Sequence, residues 1–199
     1  MPGAAGHDQC VDADGSGPVP GRPRPAVTAL RFRPAGPGDA AELLALKKDL
    51  DRETSFMLLE PGERTEDNAD VAAELNSLTA AANCVLIVAE TAGCLAGYVE
   101  ARGGGFRRNR VTAHVVIGVL AAASGQGAGS GLLRELEQWA LAHGIHRLEL
   151  TVMADNHRAR RLYERMGFAV EGRRRQCLLV DGRLVDELYM AKLLPRPAD

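Results

Sequence analysis

The sequence predicts an α/β domain with a mixed, mostly antiparallel sheet and flanking helices. Three observations carry this. Apolar runs with strand character alternate with stretches whose apolar residues recur at spacings of three and four. Three strand-like runs in the middle of the chain are joined by the short links "ETAG" and "GGGFRRN", which suit antiparallel neighbours. The last two apolar runs are hinged on Asp181–Gly182, a hairpin turn.

Order begins with the strand "TALRFRPA". "GDAAELLALKKDLDRE" follows as a helix, with Asp39 near its start and Leu43, Leu44, Leu46 and Leu50 as its apolar residues. "TSFMLLEPGERT" is a loop with an apolar patch. "EDNADVAAELNSLTAAA" is a second helix, with Val71, Leu75 and Leu78 on one face. "CVLIVAE", "CLAGYVEAR" and "RVTAHVVIGVL" are the three central strands. The third helix runs from Gly127 to His143, where Leu132, Leu136, Trp139, Ala140 and His143 share a face. "HRLELTV" is a strand. "DNHRARRLYERMG" is a short helix capped by Asp155 or Asn156, with Ala159, Leu162, Tyr163 and Met166 inward and Gly167 at its end. "FAVEGRRRQCLLV" and "RLVDELYMAKLL" make the closing hairpin. The predicted order is β-α-α-β-β-β-α-β-α-β-β.

A chain of 199 residues reads as one domain, here residues 28–199. Residues 1–27, rich in Pro, Gly and Asp and without periodicity, read as a disordered extension. Hydrophobic residues make up 46 % and charged residues 25 %, an ordinary globular balance. The net charge of −2 and a pI near 6.2 lack the basic field of a nucleic-acid binder. No apolar run is long enough to span a membrane, and no basic-then-apolar start marks a secretory leader. A cytoplasmic protein is expected. Cys10, Cys84, Cys94 and Cys177 are far apart; Cys84 and Cys94 lie in strand-like runs and read as buried thiols. No metal site is expected: His143 and His146 have no acidic or thiol partner near them, and His7 with Cys10 falls in the tail. Arg173, Arg174 and Arg175 read as a solvated strand edge.

The stretch "SGQGAGSGLL", residues 124–133, carries the chemistry. It lies between a strand and a helix. A helix N-terminus presents unpaired amides and a partial positive charge. Glycines before it let a phosphate group reach those amides. A P-loop is excluded because Leu132, not Lys, follows Gly131. The dinucleotide fingerprint fails in both registers, ending on Ser130 or Leu132 in place of glycine. That counts against a nicotinamide-dependent oxidoreductase. A pyrophosphate loop of another kind remains, beside a plain glycine-rich turn.

Downstream residues decide between these. "QGAGSGLL" followed by Asn156, Ala159, Leu162, Tyr163, Glu164, Gly167 and Phe168 resembles the signature of the GNAT superfamily of N-acetyltransferases. The resemblance covers roughly residues 29–194. Two registers satisfy its loop motif: Ser124 with Gly127 and Gly129, which keeps Leu132–Leu133 in family position, and Gln126 with Gly129 and Gly131. The first places Ser124 where the family carries Gln or Arg.

The resemblance implies a sheet with a splayed parallel pair, "AHVVIGVL" and "RLELTV", holding acetyl-CoA as co-substrate. Val119 and Leu120 would meet its pantetheine arm. Ser124, Gly125, Gln126, Gly127, Ala128, Gly129 and Ser130 would hold its pyrophosphate, with Asn156 on the far side. It implies direct attack of a primary amine on the thioester in a ternary complex. Tyr163 matches the family's proton donor. His114 is the expected base, since an ordinary imidazole titrates at about 6.5; Glu100 is the alternative. Glu60 reads either as a loop carboxylate without a role or as a residue lining the acceptor site, and "GGGFRRNR" reads as an ordinary hairpin link that could instead close over the acceptor. The acceptor is a small-molecule or protein amine, and such domains often form homodimers. The rival reading is a non-catalytic acyl-CoA-binding regulatory domain.

Overall fold

The computed structural model describes residues 29–195, so the expected disordered extension, with His7 and Cys10, lies outside the described residues. The elements are β1 (Arg31–Pro34), α1 (Ala40–Glu53), α2 (Asn68–Ala80), β2 (Cys84–Thr91), β3 (Cys94–Gly103) and β4 (Thr112–Val119). They continue with α3 (Ala128–Ala142), β5 (Arg147–Met153), α4 (His157–Arg165), β6 (Ala169–Val180) and β7 (Arg183–Leu193). Two short 3-10 turns, Pro37–Asp39 and Ala121–Ala123, precede α1 and α3. The order is the one the periodicities predict.

The strands form one sheet in the order β1-β2-β3-β4-β5-β7-β6. Every neighbouring pair is antiparallel except β4 and β5. That parallel pair holds for three rungs only, Thr112 with Arg147, Ala113 with Leu148 and His114 with Glu149. Beyond them β4 runs on to Val119 and β5 to Met153 without pairing, so the sheet opens between the two strands.

The central strands are covered on both faces, which is why "CVLIVAE" reads as continuously apolar. Val85, Ile87, Val99, Ala113, Val115, Leu148 and Leu150 pack with Leu132 and Leu136 of α3. Leu86, Val88 and Tyr98 face the other way, against Leu43 and Leu50 of α1 and Val71 and Leu75 of α2. Local signals set the helix starts. Asp67 accepts from the amides of Ala69 (2.8 Å) and Asp70 (2.9 Å), and Asp70 accepts in return from the Asp67 amide (3.0 Å). For α4 the cap is Asn156, whose Oδ1 accepts from the Ala159 amide at 3.0 Å.

The closing hairpin turns at Asp181 (φ 48°) and Gly182 (φ 74°), the left-handed pair a type I′ turn requires. β6 is irregular, with register shifts between Val170 and Gly172 and between Arg174 and Leu178. Just before the second shift Arg173 bonds Asp186 (2.5 Å) and Arg174 bonds Glu187 (2.7 Å). These exposed arginines thus tie the edge strand to β7. Cys84 and Cys177 are half-buried free thiols. Cys94 corrects an expectation: it is disulfide-bonded, not a thiol. It is the first residue of β3, directly after the β2–β3 turn, and is half-buried. No helix among the described residues is long and apolar enough to cross a membrane.

Candidate active site

The gap between β4 and β5 opens toward the glycine-rich loop. Leu120 has both main-chain groups engaged, its amide donating to Ala96 O (2.9 Å) and its carbonyl accepting from the Ala123 amide (3.0 Å). Leu120 N–H points at β3, so by strand alternation it is Val119 whose main chain turns toward the gap. The chain then passes through Ala121–Ala123 and Ser124, whose amide bonds Ala121 O at 3.1 Å. Gln126 folds back so that Nε2 donates to Ala122 O (2.6 Å), which closes the loop on itself. Gly125 (φ +80°) and Gly127 (φ +94°) carry it into α3.

Gly127 is the N-cap of α3 and no side chain caps that end. The first amide to bond into the helix is that of Gly131, to Gly127 O at 2.8 Å. The amides of Ala128, Gly129 and Ser130 therefore face outward with the positive end of the helix dipole. Ser130 Oγ turns back to Gly127 O (3.0 Å) and leaves them uncovered.

The glycines of this run differ in purpose. A Cβ at Gly127 meets nothing within 4 Å, so its requirement is the left-handed backbone, which costs a residue with a side chain about 1–2 kcal/mol. At Gly131 a Cβ would stand 2.0 Å from Phe32 Cζ. Gly131 thus lets α3 close onto β1 and is occupied by packing. Gly129, already inside α3, is a packing glycine as well, since a Cβ there would stand 2.9 Å from Leu162 Cδ2. Sequence reading passed over Arg158. Its Nη2 lies 4.0 Å from where a Gly125 Cβ would be, so a cation flanks the amide cradle. The available signal was an arginine two residues past Asn156, at the start of a helix beside an anion-type loop.

Asn156 Oδ1 is committed to its capping bond. Tyr163 is buried at 7 % exposure, with its ring 5.9 Å from that of Phe168. Burial pushes its hydroxyl well above the usual phenol range, so it stays protonated. His114 is exposed on the last paired rung of β4 and β5, where the gap closes, between Arg102 and Glu149 on the neighbouring strands. Glu100 is 8 % exposed and its carboxylate is held by Arg102, which also reaches Glu74 on α2. It is thus tied up beneath α2.

A cleft of about 370 Å³ lies beside the end of β5. Its walls come from the end of α1, the loop through Met57 to Pro61, Met153 at the end of β5, and Leu178 to Asp181 of the hairpin. Glu60 is among its lining residues; Glu100 is not. Glu53, at the end of α1, accepts from the Ala121 amide at 2.8 Å and fastens the cleft to the glycine loop. Asp51, 4 % exposed, is clamped by Arg64 through bonds of 2.7 and 3.0 Å. That clamp anchors the loop that forms the cleft's outer wall.

Residues 45–168 match the model of the acetyltransferase (GNAT) family. A solved GNAT-family acetyltransferase from Streptococcus pneumoniae is 32 % identical, with a TM-score of 0.81 over 84 % of this chain and 100 % of that one. A GNAT superfamily phosphinothricin acetyltransferase from Sinorhizobium meliloti, solved in complex with acetyl-CoA, shares the fold at 20 % identity. Its TM-score is 0.74 over 83 % of this chain and 88 % of that one. The L-amino acid N-acetyltransferase AaaT of Escherichia coli K12 is 36 % identical over 72 residues, which are 34 % of this chain and 43 % of that relative. The match therefore spans less than half of that protein.

Proposed function

Because the chain belongs to the acetyltransferase (GNAT) family, we propose that it transfers the acetyl group of acetyl-CoA to a primary amine within a ternary complex. The observation that carries this reading is the parallel pair that opens after three rungs onto an uncapped helix N-terminus. The cradle suits a diphosphate: outward amides, left-handed glycines without Cβ atoms, and Arg158 beside them. Ser124 to Ser130 and Asn156 are assigned to cofactor binding on this basis. Val119 is assigned to the pantetheine arm through its main chain; Leu120, with both groups engaged, contributes packing.

When bound, acetyl-CoA supplies a thioester carbon that forms the new C–N bond as the C–S bond breaks and coenzyme A leaves as a thiol. The residues manage the protons. His114, exposed where the gap closes, takes the proton lost by the amine and passes it to water. Tyr163, kept protonated by burial, donates to the departing sulfur. The acceptor occupies the cleft beside the end of β5, with Glu60 drawing in the cationic amine before it loses its proton.

The test is thiol release from acetyl-CoA with a panel of amines. We expect amine-dependent release, lowered by about 10²–10⁴-fold in Tyr163→Phe, the usual worth of a positioned general acid. Because the ring remains packed on Phe168, the thermal midpoint should hold. Tight acetyl-CoA binding without release for any amine would favour a regulatory binding domain instead.

A further inference from the structure

We propose that the acceptor is a small monoamine on an aliphatic or aromatic body, with no carboxylate beside its amino group. This rests on the acetyl-transfer reading above and adds the chemistry of the acceptor to it. The cleft presents two kinds of wall. One is apolar: Met57, Leu58 and Leu59 from the loop after α1, Met153 from β5, and Leu178 and Leu179 from the hairpin. Leu58 is 77 % and Leu179 67 % exposed. Exposed apolar surface gathered in a concave site marks a ligand's place.

The other wall is acidic. Glu53, Glu60 and Asp181 line the cleft. Glu53 accepts a hydrogen bond from the Ala121 amide, and none of the three forms an ion pair among the described residues. Arg52 and Asp51 line the cleft as well, and each has a partner: Arg52 bonds Asp49, and Asp51 is held in its clamp with Arg64. The charge left without an ion-pair partner in the lining is therefore acidic, which suits an ammonium group. A free amino acid brings a carboxylate as well, and like charges brought together in a site count against the wrong partner. A polyamine satisfies the acidic wall but sets further charge against the leucines and methionines. The E. coli relative acts, by its description, on L-amino acids; the walls of this cleft favour their decarboxylated counterparts.

The experiment compares phenethylamine, phenylalaninamide, phenylalanine and spermidine at saturating acetyl-CoA, reading kcat/KM for each. Phenethylamine should exceed phenylalanine and spermidine by about tenfold or more, a ratio equivalent to about 1.4 kcal/mol. Phenylalaninamide, which keeps the ring and lacks the carboxylate, should fall near phenethylamine. In the double variant Glu60→Gln, Asp181→Asn the preference over phenylalanine should shrink to roughly threefold, through KM. Asparagine tolerates the left-handed backbone at position 181, so the hairpin is kept. Calorimetry of amine binding with coenzyme A present should give the same ranking without turnover. Equal or better use of phenylalanine or spermidine overturns this inference and leaves acetyl transfer standing, as does a preference the double variant does not move. Acetylation of none of the four, with acetyl-CoA still bound, overturns this inference, and thiol release over the wider amine panel then decides whether acetyl transfer stands.

Discussion

Asp39 joins three segments through one carboxylate. Arg33 on β1 donates to it at 2.9 and 2.8 Å, and the Gly36 amide donates at 2.8 Å. Arg33 reaches Glu90 on β2 as well, at 3.1 Å. The Arg33 bonds hold the Asp39 carboxyl below the usual carboxylate range, burial opposing them. A group whose folded pKa is depressed stabilises the fold above its unfolded pKa of about 3.9 and loses that contribution as pH falls through the folded value. Asp39→Asn should therefore lower stability at pH 7, by about 1 kcal/mol once solvent screening is allowed for. Denaturant titrations of the two proteins should converge as pH falls through the depressed folded value. A gap of constant size across the acid range would mean the carboxylate's charge is not what stabilises. His114 permits a test of chemistry. If it takes the amine's proton, the rate at subsaturating amine should drop by about 10²–10⁴-fold in His114→Ala while acetyl-CoA binding holds. A variant as fast as the unaltered chain would place the base elsewhere.

At the scale of elements, the turn from β4 to α3 sets binding against packing within five residues. Gly127→Val forces a branched side chain into a left-handed backbone at the mouth of the amide cradle. It should weaken acetyl-CoA binding by at least about tenfold in calorimetry, with a stability cost of about 1–2 kcal/mol. Gly131→Ala does the opposite. Its methyl would lie 2.0 Å from the Phe32 ring, so β1 must shift. Stability should drop by about 1–3 kcal/mol, as for other overpacked sites, while cofactor affinity holds in the fraction that stays folded. Equal losses of affinity would mean that both glycines face the ligand. The elements themselves were legible because period-two and period-3.6 patterns report burial directly, and the all-apolar central strands announce cover on both faces. The glycine loop was legible because its requirement is local backbone geometry. The cleft was not. Its walls come from Met57–Pro61, Met153 and Leu178–Asp181, spread over more than a hundred residues of chain, and join only once β7 has inserted between β5 and β6. The bulge at Arg174–Leu178 was hidden too, since it depends on Asp186 and Glu187 across the hairpin drawing in Arg173 and Arg174.

Across the whole molecule, the opening between β4 and β5 divides the sheet where a continuous ladder would otherwise run. On one side lie β1 to β4, with α1 and α2 on one face; on the other lie β5, β7 and β6. Below the gap the halves are joined by three parallel rungs, and α3, which packs on β1 to β4, reaches β7 through Glu137 and Lys192 at 2.7 Å. A ligand lying in the gap would replace missing main-chain pairing with its own, and so would bind the folded state alone. Linkage then gives its size. At a free concentration one hundred times its dissociation constant, acetyl-CoA should stabilise the fold by about 2.7 kcal/mol. For a domain of this length each kcal/mol moves the thermal midpoint by about 2–4 °C. The midpoint should therefore climb by roughly 5–11 °C and continue to rise with the logarithm of concentration. Gly127→Val should need about ten times more acetyl-CoA for the same rise, whereas Tyr163→Phe should respond as the unaltered chain does, because its hydroxyl serves the leaving sulfur and not the cradle. A midpoint unmoved by acetyl-CoA in the unaltered chain would remove the ligand from the gap, and with it the assignment of the loop amides.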